Sequence, residues 1–283
     1  MRTLLIDEKI EFPLTSRVSI RIYADTRPHA LQTMRLQKGG ILVVDGRELA
    51  EEGLGLGFPV CLYQGRACFA LNATTLVDDS NAFPSVTKIF DMNAIELKRF
   101  RGTAIESDSY SEHAIRALES AYRTMGRLHV ARIMLDVASK LGLSNEYMGC
   151  PSKGQVSVSY ERKGGALRIT VGFDSLVLNH LQAIVIGNEQ GGTLFNRYSD
   201  PFVRLEGKEI EPWRLTSVEW AALGCPVYGV GFKLRRVDDW QIIRGREVVE
   251  NRVSWSGLNL MRDGVPESKR FSYDIELVGD SRI

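Results

Sequence analysis

Alternating hydrophobic and polar residues dominate the first hundred positions of the chain. In the segment RVSIRIYAD, Val18, Ile20 and Ile22 alternate with arginine and serine, which is the two-residue period of a strand with one solvent-facing side. Asp45-Gly46 and Gln64-Gly65 each separate two extended runs, and such dipeptides favour two-residue hairpin turns. Local hairpins of this kind predict antiparallel sheets rather than strand–helix–strand units.

A helical period replaces this alternation in the middle of the chain, over residues 109–142. Ser109 and Glu112 have the spacing of a capping box, and Gly142 suits the position that ends a helix. One apolar stripe has helical spacing and is formed by Ile115, Leu118, Tyr122 and Met125. The sequence therefore predicts one central helical segment.

Period-two alternation returns at about residue 154 and continues to the end of the chain. We predict a mainly β protein whose large antiparallel sheets pack as a sandwich or supersandwich. Its regions are an N-terminal β region (1–107), the helical segment (108–146) and a C-terminal β region (147–283). The same pattern is compatible with one continuous domain.

In its length and its succession of strands, the chain resembles the large β-supersandwiches of galactose-mutarotase-like and related carbohydrate-active proteins. The resemblance is architectural. No diagnostic motif supports it residue by residue, so it implies no catalytic positions. The long helical segment departs from that pattern.

Composition narrows the expected partners. The chain has 36 basic and 35 acidic side chains, so its charge gives no reason to expect a nucleic-acid partner. The apolar run Leu4 to Ile6 is too short for a secretory signal, and no stretch approaches the roughly 18 apolar residues of a membrane span. We expect a cytoplasmic protein with no membrane partner. Cys61 and Cys68 are expected to face each other across a hairpin as packed free thiols, and a disulfide bridge between them is the alternative.

Three glycines, Gly53, Gly55 and Gly57, stand at alternate positions in the segment EEGLGLGF. A dinucleotide-binding loop needs its third glycine where Phe58 stands and a helix after it, but a strand pattern follows here. We favour a close approach of this backbone to another strand. The alternative is a ligand pocket beside the loop, in a ligand-binding regulator. The four histidines have no metal-ligand spacing, and we expect no cofactor or metal.

Polar and aromatic residues concentrate in three segments of the second half: NEQGGTLFNRYSDP, EPWRLTSVEW and RRVDDWQ. Carboxylates and amides can hydrogen-bond the hydroxyl groups of a sugar, and aromatic rings can stack on its apolar face. We predict that at least one segment lines a sugar-binding cleft. The candidate acids and bases are Asp200, Glu219, Asp238 and Asp239. The candidate ligand contacts are Arg197, Glu189, Trp213, Trp220 and Trp240.

Carbohydrate binding or processing is the leading hypothesis, with a glycosidase, lyase or epimerase as the enzymatic forms. The alternative is a non-enzymatic module that assembles through its sheet and helix surfaces, for example as a homo-oligomer. Each polar segment also has a plain structural interpretation, because tryptophans and aspartates are common at sheet rims and turns. The sequence does not decide whether the protein is an enzyme.

Overall fold

The structure is a computed structural model that describes the chain except residues 6, 26–35, 52, 81–83, 101–102, 106–142, 212, 250–252 and 280–282. The chain forms two compact units. Unit 1 comprises Met1–Asn93 together with Pro151–Ile283, and unit 2 comprises Ala94–Cys150.

Strands account for most of the described residues. In chain order they are β1 (Arg2–Thr3), β2 (Lys9–Pro13), β3 (Val18–Tyr23), β4 (Ile41–Val44), β5 (Arg47–Glu48), β6 (Gly55–Tyr63), β7 (Arg66–Asp78), β8 (Ser85–Phe100), β9 (Thr103–Ile105), β10 (Leu143–Gly149), β11 (Gly154–Lys163), β12 (Ala166–Leu176), β13 (Leu181–Gln190), β14 (Arg197–Ser199), β15 (Arg204–Glu206), β16 (Arg214–Thr216), β17 (Trp220–Cys225), β18 (Val230–Arg235), β19 (Gln241–Val249), β20 (Val253–Asp263) and β21 (Arg270–Gly279). One 3-10 helix, at Gly207–Ile210, is the helical element of the described residues. In that part of the chain no helix is long and apolar enough to cross a membrane.

Two antiparallel sheets contain these strands, one of seventeen strands and one of four, β2 to β5. Within unit 1 the larger sheet has two runs of neighbouring strands. The first run is β15-β14-β17-β18-β21-β12-β11-β8. The second run is β16-β19-β20-β13-β6-β7-β1.

The two runs pack face to face, and hydrogen bonds between them cross the core. Tyr160 on β11 donates its hydroxyl to the Leu56 carbonyl on β6 at 2.9 Å. Tyr273 on β21 donates to Asn188 Oδ1 on β13 at 2.8 Å. Apolar side chains from both runs fill the space around these bonds, as in sheet sandwiches generally. The mainly β, sandwich-like architecture predicted from alternation is therefore confirmed.

A buried lysine joins the four-stranded sheet to β8. Lys88 is fully buried, and its ammonium group donates to the Tyr23 carbonyl at 3.1 Å and to the Lys38 carbonyl at 2.9 Å. Burial lowers the pKa of Lys88 to about 7, and the nearby Asp25 carboxylate opposes that shift. The ammonium group thus gives each of these two carbonyls a hydrogen-bond donor.

The hairpins predicted from dipeptides are present. Asp45 and Gly46 have φ values of 48° and 81°, and Gln64 and Gly65 have 50° and 76°, which suit turns with two left-handed residues. Cys61 and Cys68 lie directly opposite each other, and both are buried free thiols. Burial raises the pKa of the Cys61 thiol, so it stays protonated and unreactive at neutral pH.

The glycine-rich segment EEGLGLGF begins a strand. Gly55 and Gly57 have φ values of 83° and 80°, and Leu56 between them bridges to Gly40. A Cβ atom on Gly55 would lie 2.7 Å from the Gly40 carbonyl oxygen, a distance that real Cβ contacts do not reach. These contacts support the interpretation of a close approach between strands, because only glycine leaves room for the neighbouring backbone.

The end of the predicted helical region is wrong. Residues 143–146, assigned to the region 108–146, belong to strand β10 in unit 2. This strand pairs with β8 residue for residue, from Leu143 opposite Phe100 to Gly149 opposite Ala94. Pairing with β8 supplies hydrogen-bond partners for the backbone groups on one side of this segment, and that pairing outweighs local propensity. The helical segment predicted over 109–142 lies outside the described residues and stays a prediction.

Candidate functional site

A shallow groove of about 310 Å³ lies beside the loop that joins β14 to β15. Residues 199–204 form one side, and Trp220, at the start of β17, forms the other. We call it the Trp220 groove. It brings together two residues predicted from different sequence segments, Asp200 and Trp220, because β14 pairs with β17.

Asp200 shapes the loop of this groove. Its Oδ1 accepts hydrogen bonds from the backbone N–H groups of Phe202, at 2.8 Å, and Val203, at 2.9 Å. Its Oδ2 accepts a bond of 2.7 Å from the hydroxyl of Tyr198, whose pKa is raised by burial and by this bond. An aspartate that binds backbone N–H groups two and three residues ahead is a common turn-former. With three donors already bound, the carboxylate holds the loop and is poorly placed to transfer a proton.

The floor of the Trp220 groove contains an unsatisfied hydroxyl. Ser199 is 3% exposed, and its Oγ has no hydrogen-bond partner among the described residues. Ser199 stands directly opposite Ala222 on β17, another small buried residue. A buried hydroxyl without a partner costs free energy, and such groups are uncommon in folded proteins.

Aromatic rings form the walls above this floor. Trp220 is half-buried, and the Lys233 ammonium group lies 4.3 Å from the centre of its ring. Phe202, at the tip of the loop, is 82% exposed. Phe202 and Trp220 thus give the groove aromatic surface beside polar atoms, a combination that ligand sites commonly have.

A second pair of predicted residues meets elsewhere, on one face of β13, β20 and β19. Glu189, Gly257 and Gly245 stand directly opposite one another on these three strands. The side chain of Glu189 lies over Gly257, and the ring of Trp213 lies over Gly245, because a Cβ atom on either glycine would collide with that neighbour. The two glycines therefore let Glu189 and Trp213 lie close to the sheet.

The pKa of Glu189 is raised to about 7, first by burial and also by the negative charge of Glu247. Hydrogen bonds from the Asn259 amide and the Leu54 backbone, and the charge of Lys38, act in the opposite direction. In the folded protein this carboxyl group thus holds its proton to a higher pH than an ordinary glutamate does.

We expect the Glu189→Gln substitution to stabilise the protein at high pH only. The folded-state pKa lies above the unfolded value, so the stability that Glu189 contributes is present below about pH 4.5 and is lost as pH rises towards 7. Glutamine keeps the acceptor oxygen and cannot ionise. At about pH 8 the free energy of unfolding of the variant should exceed that of the original protein by about 2–3 kcal/mol, since one pKa unit is worth about 1.4 kcal/mol.

Chemical denaturation at about pH 5 and about pH 8 measures this difference. Glu219→Gln, at an exposed position, is the matched control and should change the free energy of unfolding little at either pH. An equal effect of Glu189→Gln at both pH values would contradict a raised pKa in the folded state.

The other predicted acids do not line the Trp220 groove. Glu219 and Asp238 are exposed, and Asp238 has a positive φ of 44° that suits its turn. Asp239 forms an ion pair with Arg262. The structure thus distributes the four candidate acids instead of bringing them to one centre.

Two candidate ligand contacts also lie apart from the Trp220 groove. Arg197 forms an ion pair of 3.3 Å with Glu206 on the neighbouring strand. Trp240 is 3% exposed and stacks on Phe271 with the ring centres 4.1 Å apart. This packing gives Trp240 a place in the core.

Five residues that line the Trp220 groove were not among the residues predicted from sequence: Ser199, Pro201, Phe202, Val203 and Arg204. Ser199 and Phe202 flank Asp200-Pro201, and an exposed aromatic residue after an Asp-Pro turn was an available signal. No feature of the sequence identified Ser199 as a residue of the groove, because its position there depends on the pairing of Ser199 with Ala222.

A second shallow groove, of about 180 Å³, is lined by residues 3–4, 24–25 and 72–75. None of these lining residues is aromatic, so it offers no surface for stacking. In the described part of the chain, no group of three or more histidine, cysteine, aspartate or glutamate side chains is arranged to hold a metal ion.

Comparison of the chain with models of protein families gives no match, and comparison with curated proteins gives none either. The function is therefore inferred from the Trp220 groove.

Proposed function

We propose that this protein binds a carbohydrate in the Trp220 groove. One observation carries the proposal: an aromatic residue, Trp220, lines the same groove as a serine, Ser199, whose buried hydroxyl has no partner among the described residues. Sugar rings have apolar C–H faces that stack on aromatic rings and hydroxyl groups that pair with polar side chains. Trp220 and the exposed Phe202 offer the stacking surface, and the exposed Arg204 offers hydrogen-bond donors at the same groove.

The same geometry favours binding over cleavage. Glycoside hydrolysis uses two carboxyl groups about 5–10 Å apart, one on each side of the bond that breaks. The Trp220 groove is lined by one carboxylate, Asp200, and its two oxygens already accept three hydrogen bonds. We therefore propose a carbohydrate-binding module, in which Asp200 holds the loop in the shape that the ligand meets.

Calorimetric titration of the full chain with a panel of neutral and acidic sugars tests this proposal. We expect binding by at least one sugar, and we expect Trp220→Ala to weaken it at least about tenfold. Loss of an aromatic contact of about 0.5–1.5 kcal/mol, together with the apolar area it covers, accounts for that factor.

Trp213→Phe is the matched control, because Trp213 is also half-buried but lies over Gly245, outside the Trp220 groove. It should leave affinity unchanged. No heat of binding with any sugar at millimolar concentration would count against the proposal. If the protein then self-associates and Phe202→Ser abolishes that association, the assembly hypothesis replaces it.

A further inference from the structure

The Trp220 groove carries positive charge that is not balanced by ion pairs. Arg204 is exposed, and it forms no salt bridge or side-chain hydrogen bond with the described residues. Lys233 contacts the ring of Trp220 and likewise forms no salt bridge with the described part of the chain. Glu276 stands opposite Lys233, but its carboxylate pairs with Arg235 at 3.2 Å.

Strand register places both cations on the same face as the groove floor. Arg204, Ser199, Ala222 and Lys233 stand directly opposite one another on β15, β14, β17 and β18. Directly opposite residues of antiparallel strands project to the same side of the sheet. With strands about 4.8 Å apart, the Cα atoms of Arg204 and Lys233 are about 14 Å apart. The two residues between them, Ser199 and Ala222, are small and buried, so the long cationic side chains lie on either side of them.

The one carboxylate in the groove does not neutralise these cations directly. Asp200 bonds the Tyr198 hydroxyl and two backbone N–H groups of its own loop, and it forms no salt bridge with Arg204. The charged donors left without an ion pair at the groove are therefore the Arg204 guanidinium group and the Lys233 ammonium group. Both are suited to the same acceptor, an anionic oxygen.

We propose that the Trp220 groove selects sugars that carry a carboxylate, as uronic acids do. This inference rests on the proposed carbohydrate binding. The planar guanidinium group of Arg204 matches a carboxylate with two parallel hydrogen bonds, and such bonds are stronger than those between neutral groups. Trp220 takes the apolar face of the ring, and Lys233 adds positive charge on the far side of Trp220.

Titration with glucuronate, glucuronamide and glucose tests this selectivity. Glucuronamide has nearly the shape of glucuronate without its charge. We expect glucuronate to bind at least about tenfold more tightly than glucuronamide at low ionic strength, and we expect added salt to reduce that ratio. A sulfated sugar in the same series shows whether the groove prefers the planar carboxylate to another anion.

Arg204→Gln should abolish the preference for glucuronate over glucuronamide, because glutamine offers the carboxylate no positive charge. Arg214→Gln, at an exposed position outside the groove, is the control and should keep the preference. Equal binding of glucuronate and glucuronamide, or stronger binding of the sulfated sugar, would overturn the carboxylate selectivity and leave the proposed function standing. Failure of every sugar to bind would overturn both.

Discussion

Replacing Trp240 with alanine is expected to lower the free energy of unfolding by about 3–5 kcal/mol, the usual cost of deleting a buried tryptophan. Trp240 is 3% exposed. Its ring stacks on Phe271 at 4.1 Å and lies 6.2 Å from Phe173, so three aromatic rings share one cluster. Alanine would leave a cavity between side chains of β12 and β21, which are neighbouring strands and cannot close it by a small shift.

Thermal and chemical denaturation measure this loss, and a fall in melting temperature of about 10 °C or more is expected for a chain of this size. Trp220→Ala is the matched comparison. Trp220 is half-buried at the groove, so its removal should cost less stability and more sugar affinity. If Trp240→Ala instead kept its stability and lost sugar binding, Trp240 would belong to a ligand site as its sequence context suggested.

The second large effect is expected at Gly57, where alanine should cost about 2–4 kcal/mol through backbone strain and overpacking together. Gly57 has a φ of 80°. A Cβ atom there would lie 3.0 Å from the Tyr160 hydroxyl, 3.1 Å from Val158 and 3.3 Å from Ile169. These three residues belong to β11 and β12, in the run of strands that faces β6.

Gly46→Ala separates the two causes. Gly46 has nearly the same φ, 81°, but nothing lies within 4 Å of a Cβ atom placed on it. Gly46→Ala should therefore lower the free energy of unfolding by the cost of backbone strain alone, about 1 kcal/mol. Denaturation curves of both variants give the difference. Equal losses would mean that Gly57 does not face the opposite run, which would contradict the face-to-face packing.

Several hairpins were predictable from sequence because their causes are local. Asp45-Gly46 and Gln64-Gly65 adopt the positive φ values that such dipeptides tolerate best, and the strands on either side follow directly. β3 alternates between buried and half-buried residues just as its side chains alternate in the sequence. The opposition of Cys61 and Cys68 follows from the same turn.

The candidate site was predictable only in part. Sequence pattern singled out Asp200 and Trp220 as polar and aromatic residues of two separate segments. It gave equal weight to Trp240, which is buried, and to Asp239, which pairs with Arg262. Burial and pairing depend on which strands become neighbours, and the local pattern of a segment holds no information on that. The strand at 143–146 was missed for the same reason, since its partner is β8.

By itself, the sequence determined that this chain forms antiparallel sheets, where several of its tight turns lie and which side of strands such as β3 faces the core. These properties follow from interactions between residues close together in the chain. The tertiary structure alone decided that β14 lies between β15 and β17 and that Ser199, Arg204 and Lys233 share one face. The physical reason is that backbone hydrogen bonds are the same for every residue type, so the choice of a distant partner strand depends on packing of the whole core.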